Sequence, residues 1–232
     1  LWPEAFSGRM EHILRNTLLA LIATQGNSML GILRMFADDN FRRKTVSHVR
    51  DRLVKSFWED EYAGWTDKYR TEAIASIQNK IGQLLSVPMI RNIVGQVGSK
   101  LNIREAMDTG KIVLVNLSKG NLGEDNSAFL GSMLVTKFQL DAMSRADIPE
   151  KDRRDLCLYV DEFQNFATES FATILSEARK YRLSLTLANQ YIGQLLLEGN
   201  NTALQDAVFG NVGSMVSFQV GAEDAEVLTK QF

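Results

Sequence analysis

The sequence predicts an α/β protein in which an all-α domain occupies residues 1–100 and a mainly parallel sheet with helices on both faces occupies residues 101–232. Three observations lead to this prediction. Apolar residues repeat at helical spacing through the first hundred residues. Beyond Gly110, short apolar runs rich in β-branched residues alternate with helical patterns. Alternation of this kind is typical of parallel sheets, and the glycines Gly95 and Gly98 mark the change of pattern between the two parts.

Helical periodicity is clearest at two places in the first part. Met10, Ile13 and Thr17 follow the i, i+3, i+4, i+7 rule of an amphipathic helix. A longer pattern runs from about residue 66 to residue 85 and includes Ile77 and Ile81. Between them lie five aromatic residues at roughly helical spacing, for which core packing is favoured over stacking on nucleic-acid bases: Phe57, Trp58, Tyr62, Trp65 and Tyr69.

Four strands are expected in the second part, at residues 112–116, 156–160, 183–188 and 214–220. The run 112–116 is continuously apolar and rich in β-branched residues, as in a strand covered on both faces. Helical patterns at 127–144, 169–181 and 203–209 separate the expected strands, and another begins at 222. The order predicts helices packed on both sides of the sheet.

Composition sets broad limits on function. The 28 acidic and 26 basic residues nearly balance, so the total charge indicates no nucleic-acid binder and leaves room for a local basic patch. The single cysteine, Cys157, excludes an intrachain disulfide and favours a reducing, cytoplasmic compartment. It lies inside an apolar run and is expected to be a small buried hydrophobic residue. No apolar stretch is long enough to span a membrane.

The strongest chemical signal is the pair Asp161 and Glu162 at the end of the apolar run 156–160. An apolar strand that ends in two acids is the Walker B arrangement of P-loop NTPases. There the first acid, Asp161, would hold Mg²⁺, and the second, Glu162, would orient and polarise the attacking water. The alternative is that the acidic pair only caps the following helix. Ligands of open α/β sheets bind at the carboxyl ends of strands, which favours the catalytic interpretation.

Gln190 and Arg179 are further candidates. Gln190 follows the third expected strand, where a neutral amide would lie beside the γ-phosphate if that strand is parallel to the Walker B strand. Arg179 is near the end of the intervening helix and could neutralise phosphate charge in a neighbouring subunit. Taken alone, Gln190 could equally be a polar loop residue, and Arg179 with Lys180 could be cations favoured by the helix dipole.

The phosphate-binding loop G-x-x-x-x-G-K-[ST] is absent from the 232 residues. The spacing of Gly26 and Gly31 fits, but isoleucine follows where lysine is needed. The segment 95–100 has shorter spacing, and its serine precedes its lysine. His12 and His48, the two histidines, lie far from any cysteine, so the sequence predicts no zinc site.

Several motifs together resemble the coupling ATPases of type IV secretion and conjugation, which belong to the HerA–FtsK group of hexameric DNA-pumping motors. The resemblance covers the chain well from about Gly110 onward, and residues 9–16 look like the start of the all-α domain of these proteins. The segments that carry it are 159–166, 175–183, 188–191, 211–214 and 218–225.

The resemblance implies a RecA-like P-loop NTPase core, of which residues 101–232 would be the C-terminal half. It implies ATP and Mg²⁺ as cofactors, bound at the subunit interfaces of a hexamer, and DNA, most simply single-stranded, in a central channel. Asp161 and Glu162 would be the Walker B residues, Gln190 a phosphate sensor and Arg179 an arginine acting across the interface. The parent protein would be an ATPase, and this chain alone is expected to be inactive.

Two other functions are compatible with the sequence. The all-α domain could recruit a relaxase, effector or adaptor protein, or the parent could be a HerA-like DNA helicase acting in repair. Both chain ends look cut from something longer, so an N-terminal half and a membrane anchor, with the parent at the inner face of the bacterial membrane, belong to the expectation.

Overall fold

The computed structural model describes residues 8–167, 169–196 and 201–230. The chain divides into two compact units, Leu1–Lys100 and Leu101–Phe232. The terminal residues on which truncation was inferred, Leu1 and Phe232, lie outside the described residues. No helix among the described residues combines the length and the apolar character needed to cross a membrane.

The first unit is built of helices packed around one apolar core. Three of the helices begin at side-chain caps, in which Asp38, Asp51 and Thr66 accept hydrogen bonds from backbone amides of the first turn. Ile13, Met35 and Ile77, from three different helices, are fully buried at the centre. The helices are α1 (Gly8–Ile22), α2 (Leu30–Ala37), α3 (Asp39–Ser47), α4 (Arg52–Ser56), α5 (Asp67–Ser86) and α6 (Pro88–Val94).

A π-helix, Phe57–Tyr62, continues α4 without a break. Its wider turn carries Phe57, Trp58 and Tyr62 into the core, each less than 5% exposed. Their rings contact one another at centroid distances of 4.9–6.4 Å. The expectation that these aromatic residues pack in the core is therefore confirmed for the three on the π-helix.

The described part of the second unit contains two strands, β1 (Leu156–Val160) and β2 (Leu183–Leu187). They pair in parallel, with Leu156 opposite Leu183 and Val160 opposite Leu187. The connection between them contains α10 (Glu169–Glu177) and a 3₁₀ turn, Ala178–Tyr181. This mixed α/β arrangement matches the predicted class. The remaining helices are α7 (Ile103–Thr109), α8 (Lys119–Leu122), α9 (Glu124–Ser144), α11 (Ala203–Asn211) and α12 (Ala222–Leu228).

Two of the four expected strands do not form. Residues 112–116 and 214–220 have no strand assignment, and among the described residues the sheet consists of β1 and β2. Ile112, Leu114 and Phe218 are about nine-tenths exposed. A strand requires a neighbour that satisfies its backbone groups and layers that cover its side chains. Neither segment has such a neighbour here, so the prediction of a larger sheet was wrong for these residues.

The core of the second unit lies between the strand pair and the helices α9 and α10. Phe163 and Phe171 are fully buried with their ring centroids 4.4 Å apart, and Leu183 and Phe138 pack in the same cluster. Phe163 is the first residue of a short 3₁₀ turn that follows Asp161 and Glu162. Burial of this ring therefore fixes the backbone on which the acidic pair is carried.

Close approach of α9 to this turn depends on Gly131. A Cβ atom at Gly131 would overlap the ring of Phe166. We expect Gly131→Ala to destabilise the second unit by about 1–3 kcal/mol, because the ring must shift in a packed environment. Urea unfolding measures the change. Gly82→Ala in the middle of α5 is the matched control, since no atom lies within 4 Å of its added methyl group and alanine favours helix. Equal stability of Gly131→Ala and the original chain would contradict this packing.

Candidate functional site

Parallel pairing brings together the residues that follow β1 and β2. Backbone hydrogen bonds continue past the strand ends, from the Ala188 amide to the Val160 carbonyl at 3.0 Å and from the Phe163 amide to the Ala188 carbonyl at 2.9 Å. The carboxyl ends of parallel strands lie at the same edge of a sheet. Asp161, Glu162 and Gln190 consequently share this edge.

Glu162 has an unusual backbone. Its φ of 50° and ψ of 44° place it in the left-handed region, which costs a residue with a side chain about 1–2 kcal/mol relative to the usual conformations. The same turn aims its side chain at the end of β2 instead of along the following turn. Strain of this kind often lies at functional sites, and here it falls on the residue predicted to orient water.

Both carboxylate oxygens of Glu162 accept hydrogen bonds from amides. Gln190 Nε2 donates to Oε1 and Gln164 Nε2 donates to Oε2, each at 2.6 Å. The structure thus places Glu162 and Gln190 in direct contact. Gln164 was not predicted as a site residue, although its position two residues after Glu162 is compatible with such a contact.

The hydrogen bonds from Gln190 and then Gln164 hold the pKa of Glu162 below its ordinary value, with a smaller contribution from the positive charge of Lys119. Partial burial of the carboxylate opposes them. Glu162 is therefore ionised at neutral pH and is a weak base. A carboxylate of this kind is better suited to orient a water molecule by hydrogen bonding than to remove a proton from it completely.

Asp161 is exposed at the end of β1. Its Oδ1 accepts the Glu162 amide at 2.9 Å, so Oδ2 remains open toward solvent. A single carboxylate oxygen fits the needs of Mg²⁺ bound to nucleotide, since that ion keeps several waters and takes one or two protein ligands in addition to phosphate oxygens. Among the described residues no group of three or more histidine, cysteine, aspartate or glutamate side chains is placed to hold a metal ion.

Lys119 and Asn165 complete the network and were missed by the sequence interpretation. Lys119 Nζ donates to Asn165 Oδ1 and to Glu124 Oε1, both at 2.9 Å. Asn165 Nδ2 donates to the Glu162 carbonyl at 3.0 Å. The position of Lys119 in the sequence could have identified it. Lys119 comes shortly after the apolar run 112–116, just as the other site residues come shortly after β1 and β2.

Arg179 does not join these residues. Arg179 precedes β2, whereas Gln190 follows β2. The two residues are therefore separated along the sheet by the length of this strand, about 16 Å for five residues. Its side chain is exposed on the 3₁₀ turn. Arg179 therefore lies near the opposite edge of the strand pair from Asp161 and Glu162.

A large cavity of about 1080 Å³ borders the acidic residues. Its walls are the unpaired segment 112–115, β1 and one side of α9, and its rim includes Asp161, Glu162 and Gln190. Cys157 is exposed toward this space, which corrects the expectation that it is buried. Burial alternates along β1, and Cys157 lies with Tyr159 on the exposed face of the strand, opposite the face of the buried Val160.

The model of one protein family matches most of the chain. It is described as type IV secretory system conjugative DNA transfer, and it matches residues 34–232. No curated protein and no solved structure matches the chain significantly.

Proposed function

This chain belongs to the type IV secretory system conjugative DNA transfer family, and from that premise we propose that it forms the Walker B side of an ATPase that drives DNA transfer. The observation that carries the proposal is the contact of Glu162 with Gln190 at the shared carboxyl edge of two parallel strands. This edge supports the roles of water-orienting carboxylate and phosphate-sensing amide in neighbouring positions.

Bound Mg²⁺-ATP supplies the γ-phosphoryl group and the positive charge that stabilises its transfer to water. Asp161 would hold the ion through its open oxygen. Glu162 would accept a hydrogen bond from the attacking water once one of its two amide partners has moved. Gln190 Nε2, which donates to Glu162 here, would instead donate a hydrogen bond to the γ-phosphate when ATP is bound.

The finer fold assignment, a RecA-like P-loop core, is part of this proposal. Each described strand has one neighbour, which leaves one edge of β1 and one edge of β2 unpaired. Unpaired strand edges in a soluble protein are normally covered or blocked. We propose that the segments 112–116 and 214–220 become strands when further strands, including the one before the phosphate-binding loop, complete the sheet from outside these 232 residues.

Assembly into a hexamer with nucleotide at the interfaces would give Arg179 a role in catalysis. Its position before β2, at the end of the strand pair opposite Asp161 and Glu162, supports contact with phosphate in a neighbouring subunit. DNA would pass through the centre of the ring. Recruitment of a relaxase, effector or adaptor protein by the first unit and attachment of the parent to the inner membrane remain part of the proposed role.

The 232-residue chain should bind ATP weakly or not at all, because the backbone amides that cradle phosphates are absent from it. A titration with a fluorescent ATP analogue in the presence of Mg²⁺ compares this chain with the full-length protein. Saturable binding by the full-length protein and none by the chain is expected. Micromolar binding by the chain alone would contradict the assignment of a missing loop, and absence of binding by both would contradict the proposed ATPase.

A further inference from the structure

Exposed basic residues gather where α3 ends and α4 begins. We call this surface the basic corner and define it as the side chains of Arg43, Lys44, Arg50 and Arg52, all exposed. Val49 and Val54, which alternate with them along the chain, are buried and anchor the turn to the core. The fold therefore turns the cations of this stretch outward.

The first unit has a net positive charge and the second unit a net negative charge. Residues 1–100 contain 14 basic and 10 acidic residues, whereas residues 101–232 contain 12 basic and 18 acidic residues. Within the first unit, residues 42–55 alone contribute six basic residues and one acidic residue. The rest of that unit has eight basic and nine acidic residues. Two of these six cations, Arg42 and Lys55, pair with Asp39 and Glu59 just outside this segment, and the other four form the basic corner.

The cations of the basic corner have no acidic partners among the described residues of the chain. Arg43 donates to the side chain of Asn40, and Lys44, Arg50 and Arg52 form no ion pair there. The nearby Asp51 uses its Oδ1 to cap α4, accepting the amides of Leu53 and Val54 at 2.8 and 3.3 Å. By contrast, four arginines in the same unit pair with acids three or four residues away: Arg15, Arg34, Arg42 and Arg70.

We propose that the basic corner is a contact surface for the phosphate backbone of DNA. This inference depends on the family membership of the chain and on charge complementarity, and it does not require the proposed ATPase activity. Arginine and lysine side chains that are free of acidic partners gain most from phosphate contacts, because binding releases counterions from the nucleic acid without breaking an ion pair in the protein. The corner binds backbone and not bases, so it recognises DNA without regard to sequence.

DNA fits this surface better than a membrane does. Leu53, 82% exposed, is the large apolar side chain beside these cations, and a single leucine gives little of the apolar area that an interfacial helix inserts between lipids. The four cations lie on α3, on α4 and in the turn between them, so they follow one another along the chain.

The experiment measures binding of a short fluorescent single strand of mixed sequence to the 232-residue chain by anisotropy, between about 50 and about 200 mM salt. The test variant replaces Lys44, Arg50 and Arg52 by glutamine. The control variant replaces Lys68, Lys151 and Lys230 by glutamine, which removes the same charge from exposed positions elsewhere. Circular dichroism and thermal unfolding establish that both variants are folded.

Loss of three phosphate contacts should reduce the slope of log K against log salt by about 2 and weaken binding at the lowest salt by at least about tenfold. The control variant should retain the original slope. The proposal is overturned if the test variant binds like the original chain, if the control loses as much affinity, or if the original chain does not bind DNA at low salt. Binding to vesicles of anionic lipid in place of DNA would also overturn it.

Discussion

Glu162→Gln should abolish ATP hydrolysis by the full-length protein while nucleotide binding persists. The amide is nearly identical in shape to the carboxylate, so the backbone turn and the packing of Phe163 remain. It lacks the negative charge that orients and polarises the attacking water. Residues in such roles contribute about 10²–10⁴ to the rate, and we expect a loss in this range.

Steady-state hydrolysis and binding of a fluorescent ATP analogue are measured on the same preparations. Glu226→Gln is the matched control, because it makes the same change at an exposed position on α12 outside the network. It should hydrolyse ATP at the original rate. Hydrolysis by Glu162→Gln at a similar rate would remove Glu162 from the chemistry and leave it as a capping residue.

Arg179→Ala should also remove most hydrolysis, for a different reason. Its backbone precedes β2, about one strand length from the end at which Asp161 and Glu162 lie, and we propose that its guanidinium contacts phosphate in a neighbouring subunit. Arginines that act in this way contribute about 10³–10⁵ to the rate of well-characterised NTPases. Lys180→Ala is the control, since Lys180 is the adjacent cation, is exposed, and pairs with Glu177 at 3.6 Å.

Mixed assemblies distinguish action across the interface from action within a subunit. Subunits with Arg179→Ala keep Glu162, and subunits with Glu162→Gln keep Arg179. Each variant alone is inactive, but a mixed ring contains interfaces with both residues intact. Partial recovery of hydrolysis on mixing is expected. Absence of recovery in rings shown to contain both variants would contradict independent action of each interface.

Sequence reasoning located the two strands that form and the residues at their ends. The apolar runs before Asp161 and before Gln190 predict strands because β-branched and apolar residues are concentrated there and are bounded by polar residues. Parallel pairing then follows from the helix between them. Parallel strands were also the condition on which Gln190 was expected beside the γ-phosphate. The direct contact of Gln190 with Glu162, at 2.6 Å, was not predicted.

Other features of the site and the fold depend on contacts between residues that are distant in the sequence, which periodicity does not reveal. The left-handed backbone of Glu162 results from the burial of Phe163 on one side and the end of β2 on the other, and no local residue preference predicts it for glutamate. Lys119 reaches Asn165 across 46 positions of the chain. The π-helix at Phe57–Tyr62 has no distinctive composition, so helical periodicity predicted the helix and not its wider turn.

The unpaired segments 112–116 and 214–220 show that a suitable local pattern is not sufficient for a strand to form. Residues 112–116 satisfy every local criterion of a buried strand, yet they are exposed because pairing requires a neighbour. Local pattern thus predicts what a segment is suited to form, whereas the number of strands in the sheet depends on which partners are present. The exposure of Cys157 has a different cause, because Cys157 lies on the exposed face of β1.

One measurement tests the central claim most directly: the structure of the full-length protein bound to Mg²⁺ and a non-hydrolysable ATP analogue. Our interpretation expects the metal beside Asp161, the γ-phosphate within hydrogen-bonding reach of Gln190, and a water held by Glu162 in line with it. Nucleotide bound away from the shared edge of β1 and β2, with these three side chains in the contacts they make here, would contradict it.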